Sequence, residues 1–356
     1  ALFNYLLFHG GIADVVRDIH VETPDVHLSE NSNGKWNVES ILKPSSDTDN
    51  GTFTGRLLVQ GGTAAVTLSD QNTYDFTGVN TTLAWDKEGK ITGPFDGEVF
   101  QSHFNGDLNF TSTSKLEINM KTDPVSLKSL QPLLNEFPQV SQKLEVNNGT
   151  GEVTSAKIWK SDGTVAYHVK GHINDAALRY ENDILADGAA FFDIENGEVS
   201  IKEASFRLND QKFSGEGIIH IDESNPLFQG HMTLDQVDMA SILSNEDIAG
   251  IVSGDVSFWG NTKDPYVSGN VVVIQGRYQN FQVSKGSVGF TYGDGQISIP
   301  YVKADAAGGH LEGRGFYNMS SGAFSADVTA ENLSLDSLPI SSSPSGVISG
   351  SASAQG

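Results

Sequence analysis

The stretch FQGHMTLD at residues 228–235 alternates two kinds of side chain with a period of two. Its first, third, fifth and seventh residues are apolar or glycine, and the residues between them are polar or charged. Residues 116–121 (LEINMK) and 324–331 (FSADVTAE) alternate in the same way. Successive side chains of a β-strand point to opposite faces, so these stretches predict strands with one apolar face and one polar face.

A longer pattern recurs three times along the chain. A glycine with isoleucine or valine two positions later is followed by a second glycine and then by the motif apolar-x-(Leu/Met)-x-Ser-(Leu/Ile). The copies begin at Gly89, Gly197 and Gly295, and their last motifs are residues 125–130, 237–242 and 333–338. Such spacing indicates repeats of roughly 100 residues, which we read as about six strands each in an antiparallel meander.

Turn and helix signals fill in this pattern. Asn-Gly or Asp-Gly pairs predict tight turns at residues 33–34, 96–97, 105–106, 162–163, 187–188, 196–197 and 294–295. Asp123-Pro124 predicts the start of a helix that continues towards Phe137, and the equivalent segments 238–244 and 334–338 predict single turns. Residues 1–8 also suit a short helix. The alternation breaks between Ile201 and Ala204, which predicts a β-bulge.

We therefore predict an all-β fold. A sheet of some twenty strands does not stay flat and open, so we expect an elongated, curled antiparallel sheet that forms a U-shaped β groove, with a few short helices. The expected parts are residues 1–50, an N-terminal helix and hairpin element, and three β repeats at 51–150, 151–250 and 251–356, all in one continuous body.

Composition excludes several classes of function. The formal net charge of -23 repels phosphate backbones, so we expect no nucleic-acid partner. The chain has no cysteine, which excludes disulfides and thiolate chemistry. No apolar run has the length of a membrane span. Residue 1 is not methionine, and we expect residues 1–356 to be a fragment of a longer protein.

Two regions resemble the AsmA/TamB-type envelope proteins. The first comprises IHVETPDVHL at 19–28, NGKWNV at 33–38 and IL at 41–42, and resembles the opening element of that family. The second comprises VSGDVSFWG at 252–260 and DPYVSGNV at 264–271, and resembles its repeating β units. The resemblance covers nearly all of the chain, and residues 150–190 fit it least well.

The resemblance implies a function and a location. It implies a protein of the periplasm of a double-membraned bacterium, anchored in the inner membrane by a helix outside this sequence. Its apolar groove would conduct phospholipid, or another acyl-chain lipid, between the inner and outer membranes. Some members are also linked to outer-membrane protein assembly through an Omp85-type outer-membrane barrel, which regions outside this sequence would bind.

The predicted site consists of the apolar members of the alternating strands, as the lining of a lipid groove. The alternative is that they form an ordinary hydrophobic core. We assign the lining to Leu108, Phe110, Leu116, Ile118, Met120, Val199, Ile201, Met232, Leu234, Val271, Val273, Phe290, Ile297, Ile299, Phe324 and Val328.

No enzyme motif accompanies these residues. His168 and His172 would lie about 13 Å apart on one strand, too far for one metal ion. The segment 47–51 lacks the spacing of a calcium loop. We therefore expect no catalytic residue, metal or cofactor. Two other functions remain open: a scaffold for outer-membrane protein assembly or translocation, and an adhesin or polysaccharide-active protein. The latter predicts an aromatic or carboxylate cluster on a polar face, whereas the four tryptophans are far apart in sequence.

Overall fold

The computed structural model describes residues 16–29, 31, 37, 54–67, 73–111, 115–131, 144–161, 164–180, 183–221, 225–243, 247–261, 263–279, 281–337 and 345–356. Several sequence predictions lie outside these residues. They are the helix at 1–8, most of the hairpin motif at 33–42, the segment 47–51, the turn at 162–163 and the continuation of the helix after residue 131.

The described part of the chain consists almost entirely of β-strands, which confirms the all-β prediction. The strands are β1 Asp18–Glu22, β2 Asp25–Ser29, β3 Gly55–Thr67, β4 Thr73–Trp85, β5 Ile91–Val99, β6 Ser102–Thr111, β7 Lys115–Thr122, β8 Val125–Ser126, β9 Leu144–Ser161, β10 Thr164–Tyr180, β11 Asp183–Glu195, β12 Glu198–Leu208, β13 Gln211–His220, β14 Leu227–Asp238, β15 Ile248–Gly260, β16 Pro265–Tyr278, β17 Phe281–Gly293, β18 Gln296–Ala306, β19 Gly309–Asn318, β20 Phe324–Ser334 and β21 Val347–Gln355.

The helical content of the described residues is small. One α-helix lies wholly within the described residues: α1, Met239–Leu243, after β14. Two 3₁₀ turns, Leu127–Leu130 and Leu335–Ser337, follow β8 and β20.

The strands belong to one open sheet in which most neighbours are antiparallel. The exceptions are β1 and β2, which pair in parallel with successive halves of β3. The chain divides into two compact units. Unit 1 comprises Ala1–Pro138, Gly149–His172 and Asp193–Asn196, and unit 2 comprises Gln139–Asn148, Ile173–Phe192 and Gly197–Gly356.

Unit 1 begins with an edge that is fixed by an ion pair. Arg56 on β3 donates from Nε and Nη2 to the two carboxylate oxygens of Asp18 on β1, at 2.9 and 3.1 Å. This hydrogen bonding holds the pKa of the Asp18 carboxyl below its usual value. Beyond β3, the pairs β3–β4, β4–β5, β5–β6 and β6–β7 are all antiparallel. The ring of buried Phe104 packs against those of Phe76 and Phe95, with ring centroids 5.8 and 6.0 Å apart.

Unit 2 contains an antiparallel meander from β12 to β21, in which each strand pairs with the next. Register shifts mark bulges in most of these pairs, including β14–β15 at Leu234/Val237 and β20–β21 at Ala330/Leu333. Bulges bend a strand and increase its twist. The bulge predicted between Ile201 and Ala204 is confirmed in the β12–β13 pair.

The structure reproduces the sequence repeat. The triplets β5–β7, β12–β14 and β18–β20 each follow one of the repeat-opening glycines, and each is followed by a short helical segment. Those segments are the turn Leu127–Leu130, α1 and the turn Leu335–Ser337. The single turns predicted at 238–244 and 334–338 are therefore confirmed in their described parts, Met239–Leu243 and Leu335–Ser337. Four strands, β8 to β11, lie between the first two triplets, and three strands, β15 to β17, lie between the last two.

The helix predicted from Asp123-Pro124 is wrong at its start. The two residues precede the short strand β8, and the 3₁₀ turn begins only at Leu127. Ser126 occupies the N-cap position without a side-chain capping bond. The extended backbone continues because β8 pairs with β9, with Val125 opposite Gly151.

Three of the predicted turns are also wrong. Residues 96–97, 105–106 and 187–188 lie inside β5, β6 and β11. A Cβ atom added at Gly97 would lie 2.9 Å from the Phe104 ring, and one at Gly106 would lie 2.6 Å from the Phe95 ring. These two glycines therefore make room for aromatic rings of neighbouring strands rather than for a turn. The turns at 196–197 and 294–295 are confirmed.

Candidate functional site

One face of unit 2 is apolar across ten strands. Directly opposite residues of antiparallel neighbours lie on the same face of a sheet, so a row of residues can be followed from strand to strand. The row that includes Leu234 contains only apolar residues and glycine, and we call the side that carries it the apolar face. Its members from β12 to β21 are Phe206, Phe213, Leu234, Gly254, Val271, Val288, Val302, Gly313, Val328 and Ala352.

The opposite side of the same strands is polar, and we call it the polar face. A row displaced by one residue runs from β15 to β21 and consists of Ser253, Val272, Ser287, Lys303, Glu312, Thr329 and Ser351. Val272 is its one apolar member. The alternation within each strand therefore stays in phase with that of its neighbours, so that apolar residues share one face of the sheet and polar residues share the other.

The structure brings all eleven predicted lining residues of unit 2 to the apolar face. Some of them belong to the Leu234 row, and the others lie two or four residues away on the same strands or are aligned with it across a bulge. They are Val199, Ile201, Met232, Leu234, Val271, Val273, Phe290, Ile297, Ile299, Phe324 and Val328. Their predicted contact with lipid remains a prediction.

The five predicted residues of unit 1 share one face of that unit. Phe110 lies opposite Leu116, and Leu108 lies opposite Ile118. Met120 lies opposite Gly106, two residues from Leu108 on the same strand. The apolar face of unit 1 continues through Ile158 of β9, which lies opposite Ile118.

The apolar face of unit 2 is sheltered but not covered by a second layer of described residues. In a packed interior many large side chains would be completely buried, whereas none of the described large side chains is, and the best sheltered ring of this row, Phe213, is 6% exposed. On β16, Val271 of the apolar face is 9% exposed, whereas Val272 and Ile274 of the polar face are 36% and 47% exposed. Towards the edge of the unit, Val328 of the apolar face is 42% exposed.

Glycines let aromatic rings lie against the backbone of the apolar face. The Phe258 ring occupies the space above Gly230, where an added Cβ would lie 2.3 Å from its Cζ. The Phe290 ring covers Gly269 in the same way, with Cε1 at 2.6 Å. Each phenylalanine ring therefore fills the space above a glycine of the adjacent strand. A Val or Leu in place of that glycine would project further from the sheet.

One of the bulges lies beside strongly buried residues of the apolar face. Val237 and Val252, which are opposite each other just after the Leu234/Val237 register shift, are 5% and 6% exposed. Next to them lies an apolar cavity of about 220 Å³ whose lining includes Met239 of α1, Val273 and Ala304. The bent strand ends and α1 thus shelter a pocket without closing the face.

The polar face carries the ion pairs of unit 2. Lys303 Nζ lies 3.0 Å from Glu312 Oε1, and Arg314 Nε lies 3.1 Å from Asp327 Oδ2. His310 hydrogen-bonds with Asp305 at 3.0 Å and with Glu312 at 3.4 Å, which raises the pKa of the imidazole. The hydrogen bond from Lys303, together with that from His310, lowers the pKa of the Glu312 carboxyl. Charge is therefore concentrated on the face opposite the candidate site.

The sequence prediction missed several members of the apolar face. Val256 lies opposite Met232, and Phe258, Val288 and Val302 belong to the same side. The signal was present in VSGDVSFWG at 252–260, where every second residue from Val252 to Phe258 is apolar or glycine. Val288 and Val302 lie in strands where bulges interrupt the alternation.

The described residues contain neither a cluster of metal ligands nor a membrane-spanning helix. No group of three or more His, Cys, Asp or Glu side chains is arranged to hold a metal ion there. No helix in the same part of the chain is long and apolar enough to cross a membrane.

Comparisons of the chain with protein-family models, with curated proteins and with solved structures found no match.

Proposed function

We propose that the apolar faces form part of a groove that conducts phospholipid across the periplasm, between the inner and outer membranes of a double-membraned bacterium. The observation that carries this proposal is the uninterrupted row of apolar residues and glycine from Phe206 to Ala352. A conduit needs a surface that is the same at each step, and neighbouring strands supply one step each, about 4.8 Å apart.

The width of the apolar face suits an acyl chain. Along β14, the apolar positions from Phe228 to Leu234 span six residues, which is about 20 Å of extended strand. One leaflet of a bilayer contains roughly 15 Å of hydrocarbon, half of its core thickness. A single strand therefore presents enough apolar surface to lie alongside an acyl chain over its length.

The energetics favour binding with easy sliding. Each buried CH₂ group contributes about 0.8 kcal/mol, so a bound acyl chain is well shielded from water without any polar contact. The members of the row offer no charged or hydrogen-bonding side chain that would fix the lipid at one strand. Movement from one strand to the next would therefore exchange one apolar contact for another.

Site-specific photo-crosslinking in cells tests the proposal. A photoreactive residue at Met232 of the apolar face is compared with one at Thr233, its neighbour on the polar face, and Val288 is compared with Ser287 in the same way. We expect lipid adducts, detected by mass spectrometry, at 232 and 288 and none at 233 and 287. Lipid adducts absent from both apolar positions would overturn the conduit, and adducts to other proteins there would favour the scaffold instead.

A charge in the row tests transport itself. Met232→Asp places a carboxylate among apolar side chains, where an unpaired charge is costly and an acyl chain is repelled. We expect a folded Met232→Asp protein to lose phospholipid transport between the membranes in an assay that follows a labelled lipid. Normal transport by this variant, with its fold confirmed by circular dichroism, would contradict the proposal.

A further inference from the structure

A shallow depression of about 500 Å³ lies on the polar face of unit 2, across β12 to β15. Each of the four strands lines it with three consecutive residues, and the middle one belongs to the apolar face. These segments are 200–202, 216–218, 229–231 and 257–259. Two of the middle residues, Gly217 and Gly230, have no side chain, and the side chains of the other two lie on the apolar face. The backbone of the middle residues therefore forms the floor of the depression, and the outer residues form its rim.

Trp259 stands at one side of this depression and is 41% exposed. Tyr266, opposite it on β16, stacks on the indole with ring centroids 5.9 Å apart and an interplanar angle of 10°. Because β16 lies on the side of β15 away from the depression, Tyr266 supports the indole from behind. Tyr266 Oη donates to Asp294 Oδ1 at 2.7 Å, which fixes the supporting ring.

Hydrogen-bonding groups form most of the rest of the rim. They belong to Ser200, Lys202, Glu216, Gln229, His231 and Ser257, and the one apolar side chain among them is Ile218. His231 is held in place, with Nδ1 3.3 Å from Ser257 Oγ and Nε2 3.2 Å from Asp255 Oδ1. The formal charges of Lys202 and Glu216 cancel. The net charge of -23 of the whole chain disfavours an anionic ligand.

We propose that this depression binds a neutral oligosaccharide. A pyranose ring presents a face of C–H groups, which packs on an exposed aromatic ring, and an edge of hydroxyl groups. Amide, hydroxyl, carboxylate and ammonium side chains can all donate to or accept from those hydroxyls. A rigid indole beside a bare backbone floor, with polar side chains around it, offers both kinds of contact. The site lies opposite the apolar face, so it does not depend on lipid binding there.

Isothermal titration calorimetry with three neutral trisaccharides, N-acetylchitotriose, cellotriose and maltotriose, tests the proposal on the full chain. We expect at least one of them to bind with a dissociation constant in the millimolar range or below. Trp259→Ala is expected to weaken this binding at least about tenfold, and Gln229→Ala to weaken it less. Phe316→Ala, which removes an exposed aromatic ring of the same face outside the depression, is the matched control and is expected to bind as the wild type does.

Two results would overturn the proposal. One is the absence of binding of all three sugars to the folded wild-type protein at millimolar concentration. The other is equal binding by the wild type and by Trp259→Ala or Gln229→Ala. Thermal unfolding followed by circular dichroism verifies that each variant is folded, and Gln229→Ala provides a second variant that leaves the aromatic stack intact.

Discussion

The two faces of β16 carry similar side chains but have different surroundings. Val271 and Val273 lie on the apolar face, and Val272 and Ile274 lie on the polar face. Across the sheet, Val271 has Gly254 and Val288 as neighbours, whereas Val272 has Ser253 and Ser287. Hydrophobicity along one strand therefore does not define the candidate site. The continuity of apolar residues across neighbouring strands defines it, and that continuity depends on register.

The largest expected effect comes from breaking the register of the apolar row at Gly254. Its φ angle is +151°, and an added Cβ would lie 2.2 Å from the carbonyl oxygen of Asn270. We expect Gly254→Ala to lower the free energy of unfolding by about 3 kcal/mol, measured by urea denaturation, because backbone of the adjacent strand would have to move.

Gly350 is the matched control for this change. It also lies on the apolar face, opposite Ala330, and an added Cβ there has no atom within 4 Å. We expect Gly350→Ala to change the free energy of unfolding by no more than about 0.5 kcal/mol. Similar losses in the two variants would show that the close approach at Gly254 does not govern the register.

A smaller loss of unfolding free energy is expected when the same charge is introduced on each of the two faces in turn. Val288→Asp places a carboxylate in the apolar row, and Ser287→Asp places it on the polar face opposite Lys303. We expect Val288→Asp to cost about 2 kcal/mol of unfolding free energy and Ser287→Asp less than about 0.5 kcal/mol. Equal losses in thermal or urea unfolding would mean that the faces do not differ in polarity as the registers indicate.

The sequence predicted the strands and their repeat well because period-two alternation is a local property. The bulge at Ile201/Ala204 was also visible, since the alternation changes phase within four residues. The roles of Gly97 and Gly106 were not visible. Each glycine follows a residue that favours turns. The aromatic rings that cover them, Phe104 over Gly97 and Phe95 over Gly106, belong to the neighbouring strand. Such pairings depend on register across strands, which one-dimensional spacing does not contain.

The candidate site shows the same limit. Alternation assigned Met232 and Leu234 to an apolar face, but it could not show that Val256 lies beside Met232 or that ten strands align their apolar residues. The partnership of Trp259 and Tyr266 was hidden as well, because a hairpin separates the two residues in sequence. The sequence therefore predicts which side chains share a strand face, while the pairing register decides which faces become surfaces.

The smallest expected effect concerns the polar face alone and its response to pH. The hydrogen bond with Asp305, followed by that with Glu312, raises the pKa of His310, and Glu312 is in turn paired with Lys303. Glu331 lies opposite His310 on β20, and Lys285 lies opposite Asp305 on β17.

A raised pKa in the folded state means that protonated His310 stabilises the fold. This contribution is fully present below the unfolded-state pKa of about 6.5 and is lost as pH rises through the folded pKa. We expect the NMR titration midpoint of His310 to lie above 6.5. The difference in unfolding free energy between the wild type and His310→Gln should shrink as the pH rises from about 6.5 through the folded-state pKa of His310. A midpoint at or below the ordinary value would show that the paired carboxylates do not act on this imidazole.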